Sequence, residues 1–169
     1  MNDLVCVDTQ VLIWGIKQES NAGQEQRIHD TLAFLKKLDE DGDKVLVPSV
    51  ALGEMLVNAS EERRGELNAY VVEVFRIVDY DAQAALIFAR LYQKYLNDRR
   101  SVESNQRPSH LQNRHKMKAD LMIIATALAH QADIICSDDD GVRKLAQAHL
   151  RVMGIPPAPP EQKRLDLQG

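Results

Sequence analysis

The stretch from residue 118 to residue 141, KADLMIIATALAHQADIICSDDDG, constrains the fold more than any other part of the chain. Residues 119–132 are rich in strong helix formers, and their apolar members recur at helical spacing. The apolar run at 134–136 is too short for a helix and has polar residues on both sides, which predicts a buried strand. A helix that leads into a fully apolar strand is typical of a parallel α/β sheet.

Acidic residues stand where this strand would end. Ser137 is followed directly by Asp138, Asp139 and Asp140. Functional sites in open α/β sheets lie at the carboxyl ends of the strands. Adjacent carboxylates repel one another, so this cluster needs a cation, a basic partner or solvent to compensate its charge.

Length and composition are those of one folded domain, with 169 residues, 44% hydrophobic and 27% charged. A net charge of -4 excludes a globally basic nucleic-acid binder, although residues 94–118 carry a local excess of basic side chains. No apolar run approaches the roughly 18–20 residues that span a membrane. The N-terminus has no signal-peptide pattern, so we expect a cytoplasmic protein whose two cysteines, Cys6 and Cys136, stay reduced.

Strand and helix patterns alternate along the chain. Strands are predicted at 4–7, 44–47, 75–78, 134–136 and 150–153, and helices at 10–16, 24–40, 50–60, 81–96, 119–132 and after Gly141. Residues 61–66 are interpreted as a charged, solvated segment and residues 97–113 as a long exposed loop. The prediction is an α/β fold over residues 1–154, in three layers with a mostly parallel central sheet flanked by helices, and a Pro-rich tail at 155–169 that packs little.

Four acids stand out by their context: Asp8 ends the first strand, Glu54 lies in the helix after the second, Asp120 begins a helix, and Asp139 follows the strand at 134–136. Taken singly, each is explained as well by a helix cap or a solvated side chain. Together at one sheet edge, they could not all stay ionised without compensation. A hard cation such as Mg²⁺ or Mn²⁺ would compensate them and would favour metal-assisted phosphodiester hydrolysis.

Three segments resemble the PIN-domain ribonucleases, and in particular the VapC type of toxin from type II toxin–antitoxin systems. They are VCVDTQVLIWGI at 5–16, VPSVALGEML at 47–56 and DLMIIATALAHQADIICSDDDGVRKL at 120–145. Family members carry Asp-Thr after strand one, Glu in the helix after strand two, Asp opening a helix of the form Asp-x-x-Ile-x-Ala-x-Ala, and Thr-x-Asp after strand four. The matching residues in this chain are Asp8 with Thr9, Glu54, Asp120, and Ser137 with Asp139.

The resemblance implies a divalent-metal-dependent ribonuclease with catalytic residues Asp8, Glu54, Asp120 and Asp139. Asp8, Asp120 and Asp139 would hold Mg²⁺ or Mn²⁺, with Asp138 as a further candidate ligand, and Thr9 and Ser137 would support the site. It also implies a small antitoxin protein as partner and a homodimer. Arg99, Arg100 and Lys116, from the basic segment, are candidate RNA contacts.

The chain departs from the family pattern at several positions. Ser137 replaces Thr, Asp138 is an extra acid beside Asp139, and Val142 stands where an aromatic residue is usual. Which of Asp138 and Asp139 faces the metal therefore stays open. Two alternatives to a toxin are a housekeeping RNA-processing nuclease and a non-catalytic PIN-like scaffold that binds RNA or protein.

Overall fold

The computed structural model describes residues 2–57, 59–102 and 114–160. In this part of the chain, a single central sheet has the strand order β3-β2-β1-β4-β5, and every neighbouring pair is parallel. The strands are β1 (Leu4–Val7), β2 (Lys44–Pro48), β3 (Arg76–Val78), β4 (Ile134–Cys136) and β5 (Arg151–Met153). The predicted parallel sheet is confirmed.

Helices connect the strands and flank the sheet. They are α1 (Thr9–Leu12), which continues as a π-helical turn (Ile13–Lys17), α2 (Gln26–Asp41), α3 (Ser49–Leu56), α4 (Glu61–Val74), α5 (Ala82–Ser101), α6 (Arg114–Ala129) and α7 (Asp140–Ala146). The sheet extends in both directions from β1, and because parallel crossovers are right-handed almost without exception, this order implies helices on both faces of the sheet. None of the helices in the described residues has the length and apolar content that a bilayer crossing requires.

The core is built around the two central strands and the helix that precedes β4. Val5, Cys6 and Val7 of β1 are completely buried, as is Ile135 of β4. Helices that cover both faces explain why these strands are continuous apolar runs without alternation. Both cysteines are buried and unpaired, and burial raises the pKa of the Cys136 thiol to about 12. They serve as small apolar packing groups.

Two stretches interpreted as irregular from the sequence are helical. Residues 61–66 open α4, where the Ser60 side chain accepts a hydrogen bond from the Arg63 N–H, and Glu61 and Glu62 suit the positive end of the helix dipole. Helix α5 continues to Ser101, so the first part of the predicted loop at 97–113 is helix as well. Residues 103–113 lie outside the described part of the chain.

Two residues after β5, Ile155 and Ala158, contact α2, whereas residues 156, 157, 159 and 160 are exposed. The tail that packs little at 155–169 therefore stays a prediction. Ile155 is only 5% exposed, and its carbonyl accepts a hydrogen bond from Arg27. The Ala158 N–H donates to the Asp30 carboxylate at 2.9 Å. Residues 161–169 lie outside the described chain.

Replacing Gly15 with alanine should destabilise the protein by roughly 1–2 kcal/mol, because the added methyl group would force the side chains of Leu35 and Thr31 to shift. A Cβ on Gly15, in the π-helical turn, would come 2.6 Å from Leu35 Cδ1 and 3.0 Å from Thr31 Cγ2 of α2. Gly65 in α4 is the matched control, since no atom lies within 4 Å of the Cβ position. There, alanine should stabilise by about 0.5–1 kcal/mol through helix propensity. Chemical denaturation measures both changes, and an unchanged Gly15→Ala variant would contradict this packing.

Candidate active site

A small pocket lies where the strand order reverses. Strands β2 and β3 lie on one side of β1, and β4 and β5 lie on the other. Ligands of open α/β sheets bind at the carboxyl ends of strands at such a switch point. The pocket has a volume of about 240 Å³ and is lined by Asp8, Thr9, Gln10, Glu54, Lys116, Asp120, Ile123, Asp139 and Val142. The structure therefore brings together the four acids singled out in the sequence.

Asp8 lies directly after β1 and is only 3% exposed. Its Oδ1 accepts the Val11 N–H at 3.0 Å and so caps α1, while its Oδ2 accepts the Ser137 hydroxyl. Burial raises the pKa of Asp8 to about 6, although both hydrogen bonds oppose the rise. The nearby charge of Asp139 raises this pKa further. The carboxylate is thus ionised near neutral pH at an energetic cost.

Asp139 caps the helix that follows β4. Its Oδ1 accepts the N–H groups of Gly141 at 2.8 Å and Val142 at 3.1 Å, and its Oδ2 pairs with the Lys116 ammonium. Burial raises the pKa of Asp139, but the hydrogen bonds from Lys116 and from the α7 amides outweigh it and lower the pKa overall. The Ser137 hydroxyl oxygen also accepts the Asp139 N–H at 3.0 Å. Ser137 therefore ties together the ends of β1 and β4.

Asp120 lies inside α6, one turn after Lys116, and not at the helix start that the sequence suggested. Burial raises the pKa of Asp120 to about 7. The Lys116 charge lowers this pKa, whereas the carboxylates of Asp139, Glu54 and Asp8 raise it. Burial is the largest cause of the rise, and the repulsion from the three other carboxylates adds to it, so ionised Asp120 would be stabilised by a nearby positive charge.

Glu54 comes from α3 and lies at the exposed rim of the pocket. The Thr9 hydroxyl, at the start of α1, donates a hydrogen bond to Glu54 Oε2. Thr9 therefore orients the one acid of the group that is open to solvent. Both side chains predicted to support the site, Thr9 and Ser137, are hydrogen-bonded to its acids.

The structure does not bring Asp138 into the pocket. Its carboxylate pairs with Arg27 of α2 and accepts the Ile155 N–H at 2.9 Å. Arg27 also lies over the Trp14 ring, 5.2 Å from its centroid, and pairs with Asp30 at 2.9 Å. Successive side chains point in different directions, so Asp139 turns to the pocket and Asp138 to this cluster.

This division predicts opposite outcomes for two isosteric substitutions. If the pocket binds the divalent cation expected from the sequence and cleaves phosphodiesters with it, Asp139→Asn should reduce cleavage by at least about 100-fold, since losing a ligand should exceed the roughly 10–100-fold cost of second-shell changes. Asp138→Asn should leave cleavage within about threefold of wild type and lower stability by roughly 1–2 kcal/mol through the weakened Arg27 pair. Cleavage rates and denaturation curves measure both. A larger loss of cleavage in Asp138→Asn than in Asp139→Asn would reverse the assignment.

The sequence did not predict the positions of Lys116, which lines the pocket, and of Gly141, which lies beside its acids. Lys116 was predicted only as an RNA contact, but its ammonium lies against Asp139 within the pocket. Gly141 brings backbone close to the acids: a Cβ there would come 2.9 Å from Asp139 Oδ1 and 3.7 Å from Asp120 Oδ2. Arg99 and Arg100 lie in the last turn of α5 and do not line the pocket.

The acids are not gathered into a ready-made metal cage. Within the described residues, no three Asp, Glu, His or Cys side chains form a group that could already enclose an ion. Each of three carboxylates is instead held by a neighbour: Ser137 holds Asp8, Thr9 holds Glu54, and Lys116 holds Asp139. Mg²⁺ does not require a cage, because it keeps several waters and takes one or two carboxylates.

The residues present fit a hard divalent cation. The pocket offers carboxylate oxygens, the ligands that Mg²⁺ and Mn²⁺ prefer. Burial raises the pKa values of Asp8 and Asp120, neighbouring carboxylates raise them further, and a bound cation would offset that repulsion. An ammonium group already lies against Asp139 Oδ2, which indicates that the pocket attracts cations.

A parallel α/β domain with an acidic pocket at its switch point is the class of protein that these observations define. The chain matches the family model of the PIN domain over residues 5–148 and belongs to that family. No curated protein matches the chain in sequence.

Solved structures share the fold at low sequence identity. The structure of VapBC2 from Rickettsia felis, bound to a DNA fragment from their promoter, matches with a TM-score of 0.60 and 12% identity over 89% of this chain and 98% of that chain. DNA-bound VapBC from Salmonella typhimurium matches with a TM-score of 0.59 and 17% identity, over 92% of this chain and 100% of that chain. VapBC-1 from nontypeable Haemophilus influenzae matches with a TM-score of 0.60 and 12% identity, over 89% of this chain and 97% of that chain.

Proposed function

We propose that this protein is a divalent-metal-dependent ribonuclease that acts in the cytoplasm as the toxin of a toxin–antitoxin pair. The observation that carries the proposal is the convergence of Asp8, Glu54, Asp120 and Asp139 in one pocket, where an ammonium group already lies on a carboxylate. Membership of the PIN domain family and the similarity of fold to VapBC proteins support it.

Three carboxylates would hold the metal, those of Asp8, Asp120 and Asp139. When bound, Mg²⁺ or Mn²⁺ lowers the pKa of water and neutralises charge on a phosphodiester. Ser137 connects Asp8 to the Asp139 backbone, which keeps the two strand-end carboxylates in place before any ligand arrives. This preorganisation reduces the cost of assembling the site.

Glu54 has a different role from the three buried or half-buried acids. It lies at the solvent-exposed rim, and Thr9 holds its Oε2. The other oxygen, Oε1, would accept a proton from the attacking water, as a general base within reach of solvent does. The water would attack the phosphorus in line, the opposite phosphorus–oxygen bond would break, and the leaving oxygen would take a proton from solvent.

Basic side chains would bind the RNA backbone. Lys116 lies at the pocket itself, where a scissile phosphate would sit. Arg99 and Arg100 stand at the end of α5, further along the same basic segment of sequence. Such contacts fix the position of a nucleic acid without reading its bases.

The proposed partners are a small antitoxin protein and a second copy of the chain. The VapBC matches are the support for the antitoxin. A groove between α2 and α4 offers a surface for a protein partner: Leu32, Tyr70 and Val74, each more than a third exposed, line it together with charged residues such as Lys36 and Arg76. A neighbouring gene for a small protein that co-purifies and blocks cleavage is expected; its absence would favour the housekeeping nuclease.

The test is cleavage of a structured RNA by the purified protein with Mn²⁺ and with chelator, alongside Asp120→Asn. Cleavage should require the metal and stop in chelator, and it should fall at least about 100-fold in the variant, beyond the cost of a second-shell change. Asp140→Asn is the matched control, because Asp140 belongs to the same acidic run but is exposed and does not line the pocket. Its activity should remain that of wild type.

Two results would overturn the proposal. Full activity in chelator would exclude the metal-dependent mechanism. Absence of cleavage together with tight, metal-independent binding of RNA or protein would favour the non-catalytic scaffold.

A further inference from the structure

Lys116 occupies a position that a metal ion would need. Of the two oxygens of Asp139, Oδ1 is used by the Gly141 and Val142 amides at the start of α7. The remaining oxygen, Oδ2, faces the pocket and carries the Lys116 ammonium. A cation that takes Asp139 as a ligand through Oδ2 would meet the charge of this ammonium at the same oxygen, so the two positive charges would compete for it.

The geometry allows the ammonium to be displaced. Lys116 lies one turn before Asp120 on α6, so its stem is on the pocket side of the helix. Its side chain is 54% exposed, whereas that of Asp139 is 30% exposed. A long, flexible and half-exposed lysine can move its head group into solvent at small cost.

We propose that Lys116 is an internal counter-ion that competes with the divalent cation for Asp139 Oδ2 and thereby sets the metal affinity of the pocket. The inference rests on the proposed function, since it requires the pocket to bind a metal. In the metal-free protein, the ammonium offsets part of the repulsion among the acids. In the loaded protein, the same ammonium is released to the rim, where it faces an incoming phosphate.

A salt bridge with only a structural role predicts something different. Removing such a pair would lower stability and loosen Asp139, which would weaken metal binding. Removing a competitor strengthens metal binding while it lowers the stability of the metal-free protein. The sign of the change in metal affinity therefore separates the two roles.

The experiment is a calorimetric titration of Mn²⁺ into the purified full chain at neutral pH. Lys116→Met should bind Mn²⁺ roughly three- to tenfold more tightly than wild type, the range expected for removing one partly exposed ion pair. Lys116→Arg keeps the charge and should bind within about twofold of wild type. Lys118→Met is the matched control: Lys118 lies on the same helix, but its ammonium is over the Tyr92 ring, 5.5 Å from the centroid. It should also bind as wild type does.

Thermal unfolding supplies a second measurement on the same variants. In chelator, Lys116→Met should melt below wild type, and the difference should shrink at saturating Mn²⁺. If Lys116→Met does not fold, Lys116→Gln takes its place with the same expectations. Tighter Mn²⁺ binding with a metal-free stability loss supports the proposal.

The failure of this proposal differs from failure of the proposed function. If wild type binds Mn²⁺ and Lys116→Met binds it equally or more weakly, the counter-ion role is refuted and the metal site stands. If neither wild type nor any Lys116 variant binds Mn²⁺, both proposals are refuted.

Discussion

Asp8→Asn should reduce RNA cleavage by at least about 100-fold, more than second-shell changes cost, while the fold remains intact. Asp8 is buried at the end of β1 and contributes a carboxylate to the pocket. Asparagine removes the negative charge that a divalent cation requires and keeps the shape of the side chain. The effect on cleavage should therefore be far larger than the effect on stability.

The structure explains why stability should be retained. Asp8 Oδ1 caps α1 through the Val11 N–H at 3.0 Å, and asparagine is as good a cap as aspartate. In the wild type, Asp8 Oδ2 accepts a hydrogen bond from the Ser137 hydroxyl. In Asp8→Asn, an NH₂ group can replace Oδ2 and donate to the Ser137 oxygen, so the hydrogen bond is kept with its direction reversed. A neutral side chain also removes the energetic cost of ionising a buried carboxyl whose pKa is raised to about 6.

Asp81→Asn is the matched control for this substitution. Asp81 follows a strand and caps a helix in the same way, since it accepts the Ala84 N–H at 2.8 Å, but it does not line the pocket. Cleavage by this variant should equal that of wild type. Single-turnover cleavage and thermal unfolding of both variants make the comparison, and undiminished cleavage by Asp8→Asn would remove Asp8 from the site.

The metal-free protein should lose stability as the pH rises from about 4 to above 7. Burial raises the pKa of Asp8 to about 6 and that of Asp120 to about 7, so in this window the folded state binds more protons than the unfolded state. Stability falls with pH wherever the folded state holds the excess of protons. The expected loss from the two groups together is roughly 2–5 kcal/mol. Asp139, whose pKa is lowered, acts in the opposite sense and only below about pH 4.

Asp120→Asn should flatten this pH dependence. At pH 7.5 in chelator, the variant should be more stable than wild type by roughly 1–3 kcal/mol, because a neutral amide pays no cost of ionisation. Denaturation in chelator from pH 4.5 to 8, with Asp81→Asn as the control of equal charge change, measures the difference. If the free energy of unfolding depends on pH in the same way for wild type and Asp120→Asn over this range, the raised pKa of Asp120 is contradicted.

Local sequence was sufficient for the elements whose pattern is strong. The runs that form β1, β2 and β4 are continuous and apolar, and continuous apolar runs belong to buried parallel strands. Helix α4 was not predicted because apolar residues lie on both its faces. Leu67 and Val71 are buried, whereas Tyr70, Val72 and Val74 are exposed. An apolar residue on the solvent side obscures the helical period on which prediction depends.

Some features of the candidate site could likewise be deduced from the sequence, and others could not. That Asp8 and Asp139 follow strands can be deduced from the chain, and parallel strands bring their carboxyl ends to one edge. The position of Lys116 against Asp139 could not be deduced, because it depends on how α6 packs against α7, the helix that Asp139 caps. The docking of Ile155 and Ala158 on α2 depends on the side chains of Arg27 and Asp30, which are remote in sequence.

The local sequence could not predict which of the adjacent residues Asp138 and Asp139 faces the pocket. The residue pattern determined that acids follow a buried strand, since hydrophobic periodicity and helix capping act over a few residues. Which acid enters the pocket was decided only by partners in space. The α7 amides and Lys116 hold Asp139, whereas Arg27 and the Ile155 N–H hold Asp138. Two identical side chains have the same local preferences, so only their tertiary contacts can give them different roles.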